Sequence, residues 1–171
     1  YDVIFHQAAM PQVSYSVKYP AITTENNVNK YVKLLEACIG NVKRVVAASS
    51  SSVYGTAEEL PTDELEKRDP QSPYALQKCV LEDFSKLFCN LYDIDIVCLR
   101  YFNVFGKNQI AGSPYSTAVA AWCHAIKNNL PLRSDGDGTQ SRDLCHVDNV
   151  VNANILVAQR PGNFQGNVYN I

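Results

Sequence analysis

Apolar blocks and helical periods alternate along this chain, and their order predicts a fold of strands and helices in turn. Residues 3–8 form a short apolar run that reads as a strand. From about 21 to 39 a helical period puts Val28, Tyr31, Val32, Leu35, Cys38 and Ile39 on one face, and Gly40 supplies the stop. A valine-rich run over 42–49 gives a second strand, and a polar, acidic loop broken by Pro61 and Pro70 follows. Ser72 and Pro73 make a strong helix start, cap then first-turn proline, and Leu76, Val80, Phe84, Leu87, Phe88 and Leu91 carry the period onward. Residues 94–101 are nearly all apolar, as expected of a strand covered on both faces. Further on, the pattern predicts a helix over 116–127 with Trp122 in the core and an extended piece near Leu132. A turn at 135–138, an extended stretch over 144–147 and a helix over 150–158 follow. Strands separated by helices mean βαβ units and a parallel sheet.

Composition narrows the function class. The 171 residues are 46% hydrophobic and 19% charged with a formal net charge of −2. That is ordinary for a globular domain and provides no basic footprint for nucleic acid or an anionic membrane surface. No apolar run approaches the roughly 20 residues of a membrane-spanning helix, and no signal peptide is present. The six cysteines are dispersed with no C-x-x-C pair, so they read as reduced, structural thiols of a cytoplasmic protein, with no metal site. The chain opens on Tyr1 without an initiator methionine and ends on a strand-like run, so it reads as a segment of a longer protein.

In an open α/β sheet, ligands bind at the C-terminal ends of the strands. Three polar clusters fall at such ends: His6 to Ala9, Ser49 to Ser52, and Arg100 to Asn103. Four residues apart on a helix, Tyr74 and Lys78 share a face, so an ammonium can sit beside a phenol. Alone, this spacing recurs by chance and suits a tyrosine packed on the sheet with an exposed lysine. The pair nonetheless matches a chemical need. A phenol with a pKa of about 10 is a poor base at neutral pH. An adjacent ammonium, together with a cationic cofactor ring, could lower that value by roughly 1–3. Tyr74 could then take a proton from an alcohol as hydride leaves the same carbon, with Ser50 as relay or orienting donor. For Ser50 the alternative is local backbone capping. His6 reads as a hydrogen-bonded structural residue, and Arg142 either pairs with Asp143 or grips a diphosphate.

The motifs HQAAMPQV, NNVN, SSSSVYG, SPYALQK, LRYFNVFG and DGDGTQSRDLCHVDN occur in an order and spacing that covers nearly the whole chain. As a set they resemble the extended short-chain dehydrogenase/reductase family, in its NAD-dependent epimerase/dehydratase branch. Within that branch the text is most similar to UDP-N-acetylglucosamine 4-epimerases and UDP-glucose 4-epimerases. The resemblance implies a partial Rossmann-like, doubly wound α/β sheet, a single partial domain over 1–171, with part of the substrate-binding region from about 104 onward. It implies a catalytic set of Ser50, Tyr74 and Lys78, with NAD contacts from Ala8, Ala9, Asn26, Ser49, Tyr74, Lys78, Tyr101 and Phe102. Substrate contacts would come from Ser51, Asn103, Val119 near the uracil, and Arg142 on the diphosphate. It also implies a homodimer built on helices near 21–39 and 73–91. The reaction implied is reversible C4 oxidation of a UDP-sugar, rotation of the 4-keto sugar, and return of hydride to the other face.

The chain departs from the family pattern in several places. The GxxGxxG turn and first βαβ units, and the C-terminal part, lie outside these residues. Gln77 stands where the family carries Ser or Thr, and Arg133, Ser134 and Asp135 stand where more apolar residues face the uracil. Two rivals follow: a nucleotide-sugar 4,6-dehydratase, against which Ser51-Ser52 in place of Asp-Glu argues, and a non-catalytic dimerisation or binding module.

Overall fold

The computed structural model describes residues 1–57, 59–111, 117–134 and 136–171. Four strands, β1 (Val3–His6), β2 (Arg44–Ser50), β3 (Asp95–Tyr101) and β6 (Val168–Asn170), lie side by side in that order and are all parallel. Val3 to His6 pair with Arg44 to Ala47, and Arg44 to Ser50 pair with Asp95 to Tyr101. Because the first two pairings start level, the strands also end close together, which puts the polar clusters of the sequence at one edge. A small second sheet joins β4 (Asn103–Phe105) to β5 (Leu144–His146), again parallel.

Alternation along the central strands builds two cores. Val45, Ala47, Ile96 and Cys98 face one side, against Tyr31, Leu35 and Cys38 of α3 (Lys30–Cys38) and Leu81 and Phe88 of α4 (Pro73–Leu91). Val46, Val97 and Leu99 face the other side, against Phe164 and against Ala153 and Val157 of α6 (Val147–Gln159). Helices on both faces of a parallel sheet are the doubly wound arrangement expected from the apolar blocks.

Several boundaries differ from the sequence reading. Strand β1 ends at His6, not residue 8. The single helix expected over 21–39 is a broken run: α1 (Val13–Lys18), α2 (Pro20–Thr24), a π-helical turn (Glu25–Asn29), then α3. Tyr19, at φ −134°, separates the first two, and Pro20 opens the second, where its missing N–H costs nothing. The fifth helix, α5, spans Ala118–Lys127, and Ser116, its expected start, lies outside the described residues. Near Leu132 no strand forms, and of the turn at 135–138 Asp135 is likewise outside the described residues. Helix α6 begins three residues earlier than its apolar period because His146 caps it, Nδ1 accepting from the Asp148 N–H at 3.2 Å. Trp122 is not core: it is 43% exposed and donates from Nε1 to the Arg133 carbonyl. Ser72 does cap α4 as expected, its Oγ accepting from the Ala75 N–H at 3.1 Å.

At the strand ends opposite the polar clusters, Arg44 and Asp95 face one another in register and form a buried ion pair, Nε to Oδ2 at 2.7 Å. Arg44 also donates to the carbonyls of Val157, Ala158, Arg160 and Gly162, closing the C-terminal end of α6. Asp95 Oδ1 accepts from the Phe164 and Gln165 N–H groups at 2.6 and 3.0 Å.

Candidate active site

The serine-rich end of β2 lies along one face of α4, and successive helical turns grip consecutive residues of that strand. Lys78 Nζ donates to the Ala48 carbonyl at 2.6 Å. Ser49 Oγ donates to Glu82 Oε1 at 2.6 Å. The Ser50 side chain lies near enough to the Tyr74 phenol to favour its ionised form, and Ser50 Oγ accepts from the Ser52 N–H at 3.2 Å as it caps a short 3₁₀ turn (Ser51–Tyr54). Ser50, Tyr74 and Lys78, named from sequence, are thus brought together at the end of the serine strand.

Tyr74 and Lys78 are both buried. The ammonium sits 5.8 Å from the phenol ring centroid. Burial pushes the Tyr74 phenol above its ordinary value, and the nearby Ser50 hydroxyl acts in the opposite sense. In the protein alone burial dominates at the phenol, and the ammonium is directed at a backbone carbonyl. Burial also lowers Lys78 to about 8, with Cys98 and Glu82 acting in the opposite sense. Lys78 therefore keeps its charge at neutral pH. His6, against Tyr31 with ring centroids 4.9 Å apart, falls to about 4 through burial and then through Lys78, so it is neutral.

A second set of contacts fixes the loop after β1 to the same helix. Asn27, buried in the π turn, accepts from the Met10 N–H at 2.8 Å and donates to the Met10 carbonyl at 3.1 Å. Its remaining N–H reaches Gln77 Oε1 at 2.8 Å, and Gln77 Nε2 donates to Thr23 and Thr24 hydroxyls at 2.9 and 3.1 Å. Ser16 Oγ accepts the Tyr74 N–H at 3.1 Å, satisfying a first-turn donor of α4 at the tyrosine itself. The helix carrying Tyr74 is thereby tied to the loop carrying Ala8, which is exposed, and Ala9, which is half-buried.

The other predicted residues spread around this centre. Ser49, although expected on the cofactor, commits its hydroxyl to Glu82. Asn26 lies in the π turn, bonded to Asn27 and to Lys30. The Tyr101 hydroxyl accepts from Gln7 Nε2 and Asn154 Nδ2 at 3.2 and 2.8 Å. Phe102 packs with Val53, Tyr54 and Cys79. Ser51 is half-buried at the start of the 3₁₀ turn. Asn103 donates to the Asp143 carbonyl at 2.9 Å, so the β4–β5 pairing draws it to the segment bearing Arg142, which is exposed and donates to the Ser141 carbonyl. Val119, on α5, lines a cleft of about 540 Å³ together with Phe105, Gln109, Cys123 and His146.

These residues suit the nicotinamide and ribose portion of a dinucleotide. Two alanines leave space for a flat ring, Ser50, Tyr74 and Lys78 offer hydroxyl and ammonium donors, and the buried Ser52 hydroxyl has no partner of its own. Among the described residues no cluster of His, Cys, Asp or Glu could hold a metal ion, and no helix is long and apolar enough to cross a membrane.

The family model for the NAD dependent epimerase/dehydratase family matches residues 1–171. The chain belongs to that family. A putative UDP-glucose 4-epimerase of Methanocaldococcus jannaschii is 35% identical over 99% of this chain and 55% of its own length. A solved UDP-N-acetylglucosamine 4-epimerase from Methanobrevibacter ruminantium, in complex with UDP-N-acetylmuramic acid, superposes with a TM-score of 0.94 at 42% identity. That match takes in 99% of this chain and 54% of the other. UDP-glucuronic acid 4-epimerase from Bacillus cereus, in complex with UDP-glucuronic acid and NAD, superposes at 0.87 with 31% identity, covering 99% and 53%. The chain spans about half the length of the curated relatives it matches. In this family member the Tyr74–Lys78 pair lies on the helix the sequence assigned to it.

Sequence reasoning gave no role to Glu82 or Ser16, met Asn27 only inside the NNVN motif, and noted Gln77 only as a departure from the family pattern. Glu82 had a readable signal, since it continues the four-residue spacing of Tyr74 and Lys78. The other three had none, because their partners are distant in sequence.

Proposed function

We propose that this chain is the catalytic part of an NAD-dependent UDP-sugar 4-epimerase, acting on the UDP-GlcNAc/UDP-GalNAc pair in preference to UDP-Glc/UDP-Gal. The observation that carries the reading is the convergence of Tyr74 and Lys78, both buried and one helical turn apart, on the serine-rich C-terminal end of β2, with Lys78 Nζ on the Ala48 carbonyl. The 42% identity to a UDP-N-acetylglucosamine 4-epimerase supports the choice of substrate pair. NAD, when bound, supplies reversible acceptance of hydride. Ala8 and Ala9 leave room for its ring, with Asn26, Tyr101 and Phe102 around it. The protein's own groups handle the proton: Tyr74, as the phenolate, accepts it from the 4-hydroxyl and becomes the neutral phenol, Ser50 orients that hydroxyl, and Lys78 contributes positive charge that favours the phenolate before the transfer. Asn103, Ser51 and Val119 contact the nucleotide sugar, with Arg142 on its diphosphate.

The six free cysteines suit the reducing cytoplasm. Exposed Leu76, Leu87 and Leu91 on α4 leave an apolar stripe that supports a homodimer through this helix and the 21–39 segment. The test is NMR of the intact protein incubated separately with UDP-GlcNAc and UDP-Glc. A mixture of C4 epimers supports the reading, whereas a stable 4-keto-6-deoxy product replaces it with dehydration. Arg142→Ala is expected to weaken nucleotide-sugar binding about 10- to 100-fold with NAD retention unchanged. Calorimetry showing unaltered sugar-nucleotide affinity removes Arg142 from the site.

A further inference from the structure

Tyr74, Lys78 and Glu82 stand at successive four-residue steps on one face of α4, so all three side chains meet the end of β2. Glu82 is 4% exposed and takes four donors: Ser49 Oγ at 2.6 Å, Arg100 Nε and Nη2 at 2.8 and 2.7 Å, and Arg68 Nη1 at 3.4 Å. The two-pronged contact with Arg100 is geometrically rigid. Arg100 itself is held by the Tyr54 hydroxyl at 2.7 Å, and Tyr54 in turn donates to Asn170 Oδ1 at 2.7 Å. The carboxylate is therefore immobile, and it anchors the residue directly before Ser50.

We propose that Glu82 is a positioning residue for the reaction, pinning Ser49 and with it the adjacent Ser50, and placing a buried carboxylate one helical turn from the Lys78 ammonium. This deepens the epimerase reading and rests on it. The groups acting on Lys78 from each packed element single out Glu82. From β1 comes His6, which is neutral, and from β2 the Ala48 carbonyl, a dipole. Cys98, from β3, is pushed up to about 12 by burial and so remains a neutral thiol. Tyr74, on α4, is a neutral phenol. The charged groups here are Glu82 and the two arginines bound to it, Arg100 from β3 and Arg68, and of these Glu82 is the anion, acting against the desolvation that lowers Lys78. Without it the ammonium loses its proton at lower pH, and positive charge next to Tyr74 is lost within the working range.

The test uses the intact protein with ¹³C-labelled lysine, following the Lys78 titration by NMR in wild type and in Glu82→Gln. The expected result is a fall of about one to three pH units in the variant, with the alkaline limb of the pH–rate profile falling in parallel. A folded Glu82→Gln protein with an unmoved Lys78 titration overturns the proposal. That variant leaves Arg100 without its counter-charge, so Ser49→Ala, which preserves the ion pair, decides the positioning half if Glu82→Gln fails to fold. Ser49→Ala is expected to lower kcat about 10- to 100-fold, with KM and the Lys78 titration unchanged; an unchanged kcat overturns it. The lysine titration needs no turnover, so it reports on Glu82 even if Tyr74→Phe shows that the epimerase reading fails.

Discussion

Tyr74→Phe is expected to slow C4 epimer interconversion in the intact protein by about 10²- to 10⁴-fold, the range lost with a positioned acid–base group. Folding should survive the change. The ring, 8% exposed, stays in place, and Ser50 keeps the Ser52 N–H as donor when the phenol hydroxyl is removed. A loss of about 1 kcal/mol in stability is the expected scale. Coupled measurements separate the two effects: NMR of product epimers for rate, and denaturant titration for stability. Near-normal turnover removes Tyr74 as the base. The prediction is sharp because the structure assigns Lys78 a different duty from the one its spacing suggested. Its Nζ holds the Ala48 carbonyl, and burial alone makes Tyr74 a weaker acid than a free phenol. On the proposed reading, the cationic ring of NAD would supply the further positive charge that activates the phenol, beside Lys78, whose Nζ lies 5.8 Å from the ring centroid.

The second large effect lies at the other end of the strands. Arg44→Met should destabilise the protein by about 3–5 kcal/mol, because Asp95 keeps its carboxylate in the interior with no partner charge. For a chain of this size that corresponds to a fall in Tm of roughly 6–20 °C. Part of the cost comes from α6, whose terminal carbonyls lose the guanidinium that closes them. Differential scanning calorimetry checks the size. The double variant Arg44→Met/Asp95→Leu removes both charges and should recover part of the loss but not all. The Phe164 and Gln165 N–H groups would still lack the Asp95 acceptor. If the single variant melts within about 2 °C of wild type, the pair does not hold these elements together.

Much of the architecture was legible because it depends on short-range periodicity. The run 94–101 is apolar at nearly every position since both faces of β3 are covered, and β3 begins one residue later, at Asp95. Ser72 and Pro73 announced α4 to the residue, because a cap and a fixed φ act within one turn. The broken path over 13–38 was not legible. A π turn follows the same apolar face as a helix, and it exists here because Asn27 must reach both Met10 and Gln77. Strand β4 was hidden for a similar reason, since three residues carry no period and only pairing with Leu144 to His146 makes them a strand.

The same division runs through the site. By itself, the sequence determined that a phenol, an amine and a serine hydroxyl would gather at one edge of a parallel sheet, since helix spacing and strand termini are local properties. Only the tertiary structure decided that Lys78 faces a carbonyl, that Ser49 turns inward to Glu82, and that Asn27, Gln77 and Ser16 lock the tyrosine helix to the loop after β1. Those contacts join residues 17 to 58 positions apart. Their geometry follows from how whole elements pack, and no local pattern of side chains encodes it.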